Sequence, residues 1–377
     1  MPQSLSILSD LVSRFSSRAA AYDQSGEIAL DNLADLHKAG LLALTVSSRY
    51  GGGGKGLRDV LPLIGTLAQG DPSTTLILAM QCLHHASIAA DPHWPEDVRR
   101  IVSEAAVQDG ALLNALRVEP DLGTPSRGGI PATRVSQKDG QWVLNGCKIY
   151  STGSTALRWG IVWAATDEET PRTGHVLVPL DTPGVRIERT WDQLGMRATG
   201  SHTIHFENVV LPEAFLVDLR KPEDWRGAGQ DLTLWHALLI AALYDGVARS
   251  ARDWLVTFLH ARVPANLGKP LSSLPRFQIV MGEIEALLLT NRAMLADALA
   301  RYDLGQCSVT DANLIKHVVT DNAIRSVETG VAAIGNPALS RSNPLERHLR
   351  DVLCARIHTP QADTALSAAG RAALGDV

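Results

Sequence analysis

The sequence predicts an α+β chain in three parts: an N-terminal helical domain over 1–110, a central β domain over 111–220, and a C-terminal helical bundle over 221–377. Apolar residues recur at three- and four-residue spacing on both sides of the middle third. Between about 111 and 215 that texture gives way to short alternating runs separated by turn dipeptides. At 377 residues the chain exceeds the usual size of one domain, and no solenoid repeat or low-complexity linker interrupts it.

The first part opens with "ALDNLADLHKAGLLAL" (29–44), a helical pattern that runs into a glycine loop, "SSRYGGGGKGL" (47–57). "RDVLPLIGTLAQG" (58–70) and "DPSTTLILAMQCLHHASIAA" (71–90) follow as helices. The second offers Asp71 or Ser73 as a cap, with Pro72 in its first turn. Residues 51–54 lack the strand–loop–helix context and lysine of a phosphate cradle, so they read as a loop.

In the middle part, "TRVSQKDGQWVLNGCKIYSTG" (133–153) carries Asp139-Gly140 and Asn145-Gly146 as expected turns. "WGIVWAAT" (159–166), "GHVLVPL" (174–180), "GVRIERTW" (184–191) and "SHTIHFENVVLP" (201–212) are short strands at regular spacing. They predict a sandwich or barrel. His202 and His205 alternate along the last of these and read as strand residues. The third part contains at least four helices, among them long amphipathic runs at 232–263, 277–305 and 308–335. Near the end, Asn343, Pro344 and Glu346 read as a helix start, and Pro360 breaks the next stretch with Thr359 as a possible cap.

A formal charge of −5 and a pI near 6.2 argue against a nucleic-acid or anionic-membrane surface. No apolar run approaches the ~20 residues of a membrane span. Four scattered cysteines, without metal-ligand or disulfide spacing, fit reduced thiols in a cytoplasmic protein.

Five stretches carry a more specific signal: "GLLALTVSSRYGGGG" (40–54), "EPDLGTP" (119–125), "KIYSTGS" (148–154), "LGMRATGSHTIHFENVVLP" (194–212) and "PLERHLRD" (344–351). In this order, on this helix–sheet–helix background, the whole chain resembles the acyl-CoA dehydrogenase family of flavoproteins. The resemblance implies a homotetramer or dimer of dimers, with the flavin held between the β domain and the C-terminal bundle. It places Leu116 and Val118 beside the isoalloxazine ring, although the family often has threonine at the latter. It also places Tyr150 near the ring, and Ser151 and Thr152 close to flavin N5. Arg262, Gln278, Gly335 and Asn336 match positions that contact the second half of FAD in relatives. Arg262, however, is displaced by about two residues and Leu267 replaces an aromatic, which leaves FMN open beside FAD.

The resemblance also exposes an omission. The glutamate that abstracts an acidic α-proton in acyl-CoA dehydrogenases would fall at Thr359, or, in some members, at His236. Neither is an acid, and Glu346, Asp351 and Asp363 do not occupy either position. The chain instead offers imidazoles: His358 at the helix break, His236, and His84 beside His85. A histidine of near-neutral pKa can donate or accept a proton. This is similar to the monooxygenase branch of the family, resembling dibenzothiophene monooxygenases. There a separate flavin reductase supplies reduced flavin, and a C-terminal histidine and a loop hydroxyl face it; His358 and Thr152 fit those places. The expected activity is therefore oxygenation of a small apolar substrate at sulfur, nitrogen or aromatic carbon. The alternatives are an acyl-CoA dehydrogenase or oxidase with a displaced base, and a non-catalytic flavin-binding protein.

Overall fold

The computed structural model describes residues 2–122, 129–225 and 227–375, and the side chains from Ser6 onward. The end of the 119–125 motif therefore lies outside the described residues. Five helices come first: α1 (Pro2–Ser25), α2 (Leu30–Lys38), α3 (Leu57–Leu67), α4 (Pro72–Ala90) and α5 (Glu96–Asp109). Strands follow as β1 (Leu112–Leu116), β2 (Arg134–Lys138), β3 (Gln141–Ser151), β4 (Leu157–Thr166), β5 (Thr173–Pro179), β6 (Val185–Glu188), β7 (His202–Leu211) and β8 (Leu216–Arg220). The last helices are α6 (Gln230–Ala261), α7 (Pro275–Asp303), α8 (Val309–Ile334), α9 (Leu345–Leu353) and α10 (Ala362–Leu374).

Helix α4 begins as its sequence suggests: the Asp71 carboxylate accepts from the Ser73 and Thr74 amides, with Pro72 opening the helix. Its side chains are buried continuously from Pro72 to His85, the mark of a helix enclosed on all sides. Helix α6 is the other enclosed element, buried without interruption from Ala237 to Ala248. It meets α3 where two glycines face each other. A Cβ on Gly246 would lie 2.6 Å from the Gly65 carbonyl oxygen and 2.7 Å from Ala68 Cβ, so only glycine permits this approach.

The strands form one eight-stranded mixed sheet in the order β6-β7-β3-β2-β4-β5-β8, with β1 added parallel to β4. The parallel pairings of β1 and β2 with β4 span long stretches of chain, and hairpin spacing in a sequence does not show them. Asp139-Gly140 does turn the β2–β3 hairpin. Asn145-Gly146 does not turn. It sits inside β3, where the register shifts as a bulge, and a Cβ on Gly146 would lie 2.5 Å from Thr133 Oγ1. Two expected caps also differ. Pro344 precedes α9 without a side-chain cap, while Asn343 donates to the Pro337 carbonyl. Helix α10 starts after Gln361, beyond Thr359.

Two polar arrangements fix the sheet in place. Within it, Lys148 on β3 is fully buried and donates to Glu119 at 2.6 Å, while the Glu119 carboxylate also accepts the Ala132 and Thr133 amides. Between sheet and helices, Arg350 on α9 holds Asp23 on α1 with two bonds of 2.8 and 2.6 Å and reaches the Leu194 carbonyl at 2.9 Å. Beside it Asp351 accepts the Met196 amide at 2.7 Å. Gly195 lies so close that a Cβ there would be 2.2 Å from the Arg350 carbonyl oxygen. Breaking a buried ion pair on one side leaves an uncompensated charge, at a cost of about 3 kcal/mol. Glu119→Gln is therefore expected to lower unfolding stability by about that amount in urea titrations. A loss below ~1 kcal/mol would show that Lys148 finds another partner.

Candidate functional site

A cleft opens where this docking brings the 191–201 loop against the end of α9 and the turn that follows. It is lined by Leu76 of α4, by Trp191, Leu194, Met196, Thr199 and Ser201 from the sheet side, and by Leu353, Ile357 and His358 from the helix side. Most of this wall is apolar, and its polar groups come from two loops locked together. Gly153 and Ser154 donate their amides to the Thr199 and Gly200 carbonyls, and Ser154 Oγ adds a bond of 2.7 Å to Gly200.

The hydroxyls between these loops have a direction. Thr199 Oγ1 donates to the Met196 carbonyl at 2.9 Å, so the Ser201 hydroxyl must donate to Thr199, 2.9 Å away. Thr152 then donates to Ser201 at 3.0 Å and keeps its lone pairs for an incoming donor. Next to it, Ser151 Oγ is buried with no partner among the described residues. An orphaned hydroxyl in a native interior leaves capacity for a hydrogen bond to a water or a ligand.

His358 faces this cleft from the turn after α9. Its Nδ1 lies 2.7 Å from the hydroxyl of Tyr244, which is fully buried on α6. No other acceptor for that phenol exists among the described residues, so Tyr244 donates. His358 therefore carries its proton on Nε2 and presents an N–H to the cleft. Lys316, buried on α8, clamps the same turn by donating to the Ala355 and His358 carbonyls at 3.0 and 2.8 Å. Burial, then His236 and Lys316, push His358 down to about 3, so it stays neutral at physiological pH.

The other expected residues divide into two groups. Around the cleft, Tyr150 is exposed with a left-handed φ of 57° and packs edge-on to Trp191 at 6.3 Å. Val118 is half-buried, and its carbonyl accepts the Ile149 amide. Leu116 is enclosed in the core at 1% exposure. His84 on α4 and His236 on α6 lie within electrostatic reach of one another and of Arg117. His85 is buried without a partner for either nitrogen and belongs to the core, and His205 pairs with Glu188. Far from the cleft, Arg262, Gln278, Gly335 and Asn336 gather, exposed, at the opposite end of the bundle. Along α6, Arg262 stands 26 residues beyond His236, or about 39 Å at 1.5 Å per residue. Within one chain those four residues do not serve the cleft.

Sequence reasoning missed Arg117, Ser201, Tyr244 and Lys316. Arg117 and Lys316 carried a signal, each being a lone cation in an apolar segment, "NALRVEP" and "NLIKHVV". Thr359 and His236 occupy the two glutamate positions, Glu346 binds Arg350, and Asp351 is turned to Met196.

Three family models together span most of the chain: the acyl-CoA dehydrogenase N-terminal domain over 9–91, middle domain over 118–209 and C-terminal domain over 238–361. The chain is 36% identical over 359 residues to the putative acyl-CoA dehydrogenase YdbM of Bacillus subtilis (strain 168), covering 94% of this chain and 92% of that one. It belongs to the acyl-CoA dehydrogenase family, a family of flavin-dependent oxidoreductases. Among solved structures it is similar to KijD3 in complex with FMN and a dTDP-linked amino sugar (25% identity, TM-score 0.84, covering 98% and 92% of the two chains). The dibenzothiophene monooxygenase TdsC from Paenibacillus sp. A11-2 shares the fold (21% identity, TM-score 0.84, 99% and 97% covered).

The neutral histidines give the site a pH signature. Folded values near 3 for His84 and His358 and near 4 for His236, all depressed first by burial, lie below the ordinary 6.5. Between these values the unfolded chain binds more protons than the folded one. Stability is therefore complete above about pH 6.5 and falls as pH falls through that window. Urea unfolding at pH 7.5 and pH 5 should show the loss, and His84→Gln should make it smaller. An unchanged slope in that variant would mean His84 titrates normally.

Proposed function

We propose that this protein is a flavin-dependent monooxygenase that receives reduced flavin, FMN or FAD, from a separate reductase and oxygenates a small substrate at sulfur, nitrogen or aromatic carbon. The observation that carries this reading is the identity of the polar group facing the cleft. It is the Nε2–H of a neutral His358, oriented by Tyr244, with no carboxylate at either position the family uses for a base. A donor of this kind suits an oxygen atom that gains charge; it does not suit removal of a carbon-bound proton.

The residues present fit a flavin. The apolar wall of Leu194, Met196 and Ile357 suits the ring, Ser151 Oγ lacks a partner, and Thr152 is left as an acceptor, complementary to the N5–H that only reduced flavin carries. When bound, the flavin supplies the electron pair that activates O2. Thr152 would hold the N5 side, His358 would donate to the oxygen that develops charge, and the apolar wall would limit the approach of water. KijD3, which binds FMN, and TdsC, a dibenzothiophene monooxygenase by name, are in keeping with this reading. Arg262 could serve only a neighbouring subunit's flavin, so its distance from the cleft leaves FMN and FAD both open.

Dehydrogenation with a displaced base has one candidate, Asp351, which burial pushes up to about 7. Its carboxylate is committed to the Met196 amide and is absent from the cleft wall, which weakens that alternative.

Stopped-flow mixing of the reduced-flavin protein with oxygen tests the proposal. The wild type should delay the return of oxidised flavin behind a transient spectrum. His358→Ala should bind flavin normally yet return to oxidised flavin at least about tenfold faster while releasing peroxide, and Tyr244→Phe should fall between them. Equal rates in wild type and His358→Ala would refute the donor role.

A further inference from the structure

The groups behind His358 form a set whose charges do not balance. Arg117, immediately after β1, makes no ion pair or hydrogen bond with a described residue, and its guanidinium lies over the Trp163 ring at 5.1 Å. His175 meets the same ring edge-on at 5.1 Å. His84 and His236 are close enough to feel Arg117, and His236 and His358 to feel Lys316. Arg117, His175, His236 and His358 are each only partly exposed.

The nearby carboxylates are already engaged. Glu119 is saturated by Lys148 and two amides. Asp218, opposite His175 across the sheet, is held by Arg220 through bonds of 2.8 and 2.6 Å. A buried guanidinium without a counter-ion is costly, and folds retain one where a ligand brings the missing charge. The Trp163 face fixes the guanidinium plane, which favours a two-pronged contact with a planar oxyanion.

We propose that the substrate is an organic acid whose single carboxylate or sulfonate is bound by Arg117, in the neighbourhood of His84 and His236, leaving the apolar part of the molecule toward His358. This deepens the monooxygenase reading and rests on it. No bond is made or broken at the anionic end; it only orients the molecule and fixes which atom reaches the flavin side.

The test titrates the full-length, FMN-loaded protein with matched acid and neutral pairs by calorimetry: benzoate with benzamide, phenylacetate with phenylacetamide, and benzenesulfonate with benzenesulfonamide. At least one acid should bind ten or more times more tightly than its neutral partner. Arg117→Leu should abolish that preference while changing binding of the neutral compounds less than twofold, and Arg117→Lys should restore part of it. Flavin content and circular dichroism establish that the variants are folded. Acids and amides binding alike, or a preference that survives Arg117→Leu, would overturn the proposal. So would a tenfold loss of FMN affinity in Arg117→Leu without a change in acid preference, which would assign the arginine to the cofactor. A protein that binds neither FMN nor FAD would instead sink the flavoenzyme reading, so the two failures are distinct.

Discussion

The structure depends on the grip of α9 on the sheet. Arg350 joins α1, the 194–196 loop and its own helix through Asp23, the Leu194 carbonyl and Glu346, and Asp351 holds the Met196 amide. These bonds are largely shielded from solvent, with both Arg350 and Asp23 less than one-fifth exposed, so they are worth more than a surface pair. Their consequence is positional. The same contact that seats Gly195 against the Arg350 carbonyl sets the distance between Thr199 and Ser201 on one wall of the cleft and Ile357 and His358 on the other. The site is thus a seam between two independently built layers, and its polar groups are aimed by the docking.

The chemistry follows from which protons are fixed. A carbonyl at Met196 and a phenol at Tyr244 are the two ends that decide everything between them. The first forces Thr152 to act as an acceptor, and the second forces His358 to act as a donor. Lys316 keeps the His358 turn in place and, as a buried cation, discourages the imidazole from taking a second proton. An enzyme that must abstract a proton from carbon needs the reverse, a basic carboxylate at this wall. On the proposed reading the site gives a hydrogen bond to oxygen instead.

Much of the architecture was legible because it is local. Helical periodicity, the Asp71–Pro72 start and the Asp139-Gly140 turn each depend on neighbours within a few residues, and each appears where the pattern puts it. What failed was non-local. The parallel partners of β4, the bulge that absorbs Asn145-Gly146 against Thr133, and the replacement of Asn343 as a cap are decided by contacts with distant chain. The site shows the same division. The break at His358 and the hydroxyl at Thr152 were visible, but Tyr244 lies 114 residues from its imidazole partner, and nothing in α6 distinguishes it from a core tyrosine. Likewise the sequence does not show that Arg262 stands at the far end of α6 from His236.

The central claim is that the cleft holds a hydrogen-bond donor and no carbon base. Anaerobic mixing of the oxidised, flavin-loaded protein with a series of short- to long-chain acyl-CoA thioesters tests it most directly, because flavin bleaching by a bound thioester requires removal of its α-proton. The account predicts that the oxidised-flavin spectrum persists through the series. Stoichiometric bleaching by any thioester, with the matching enoyl-CoA as product, would contradict it and return the protein to the dehydrogenases.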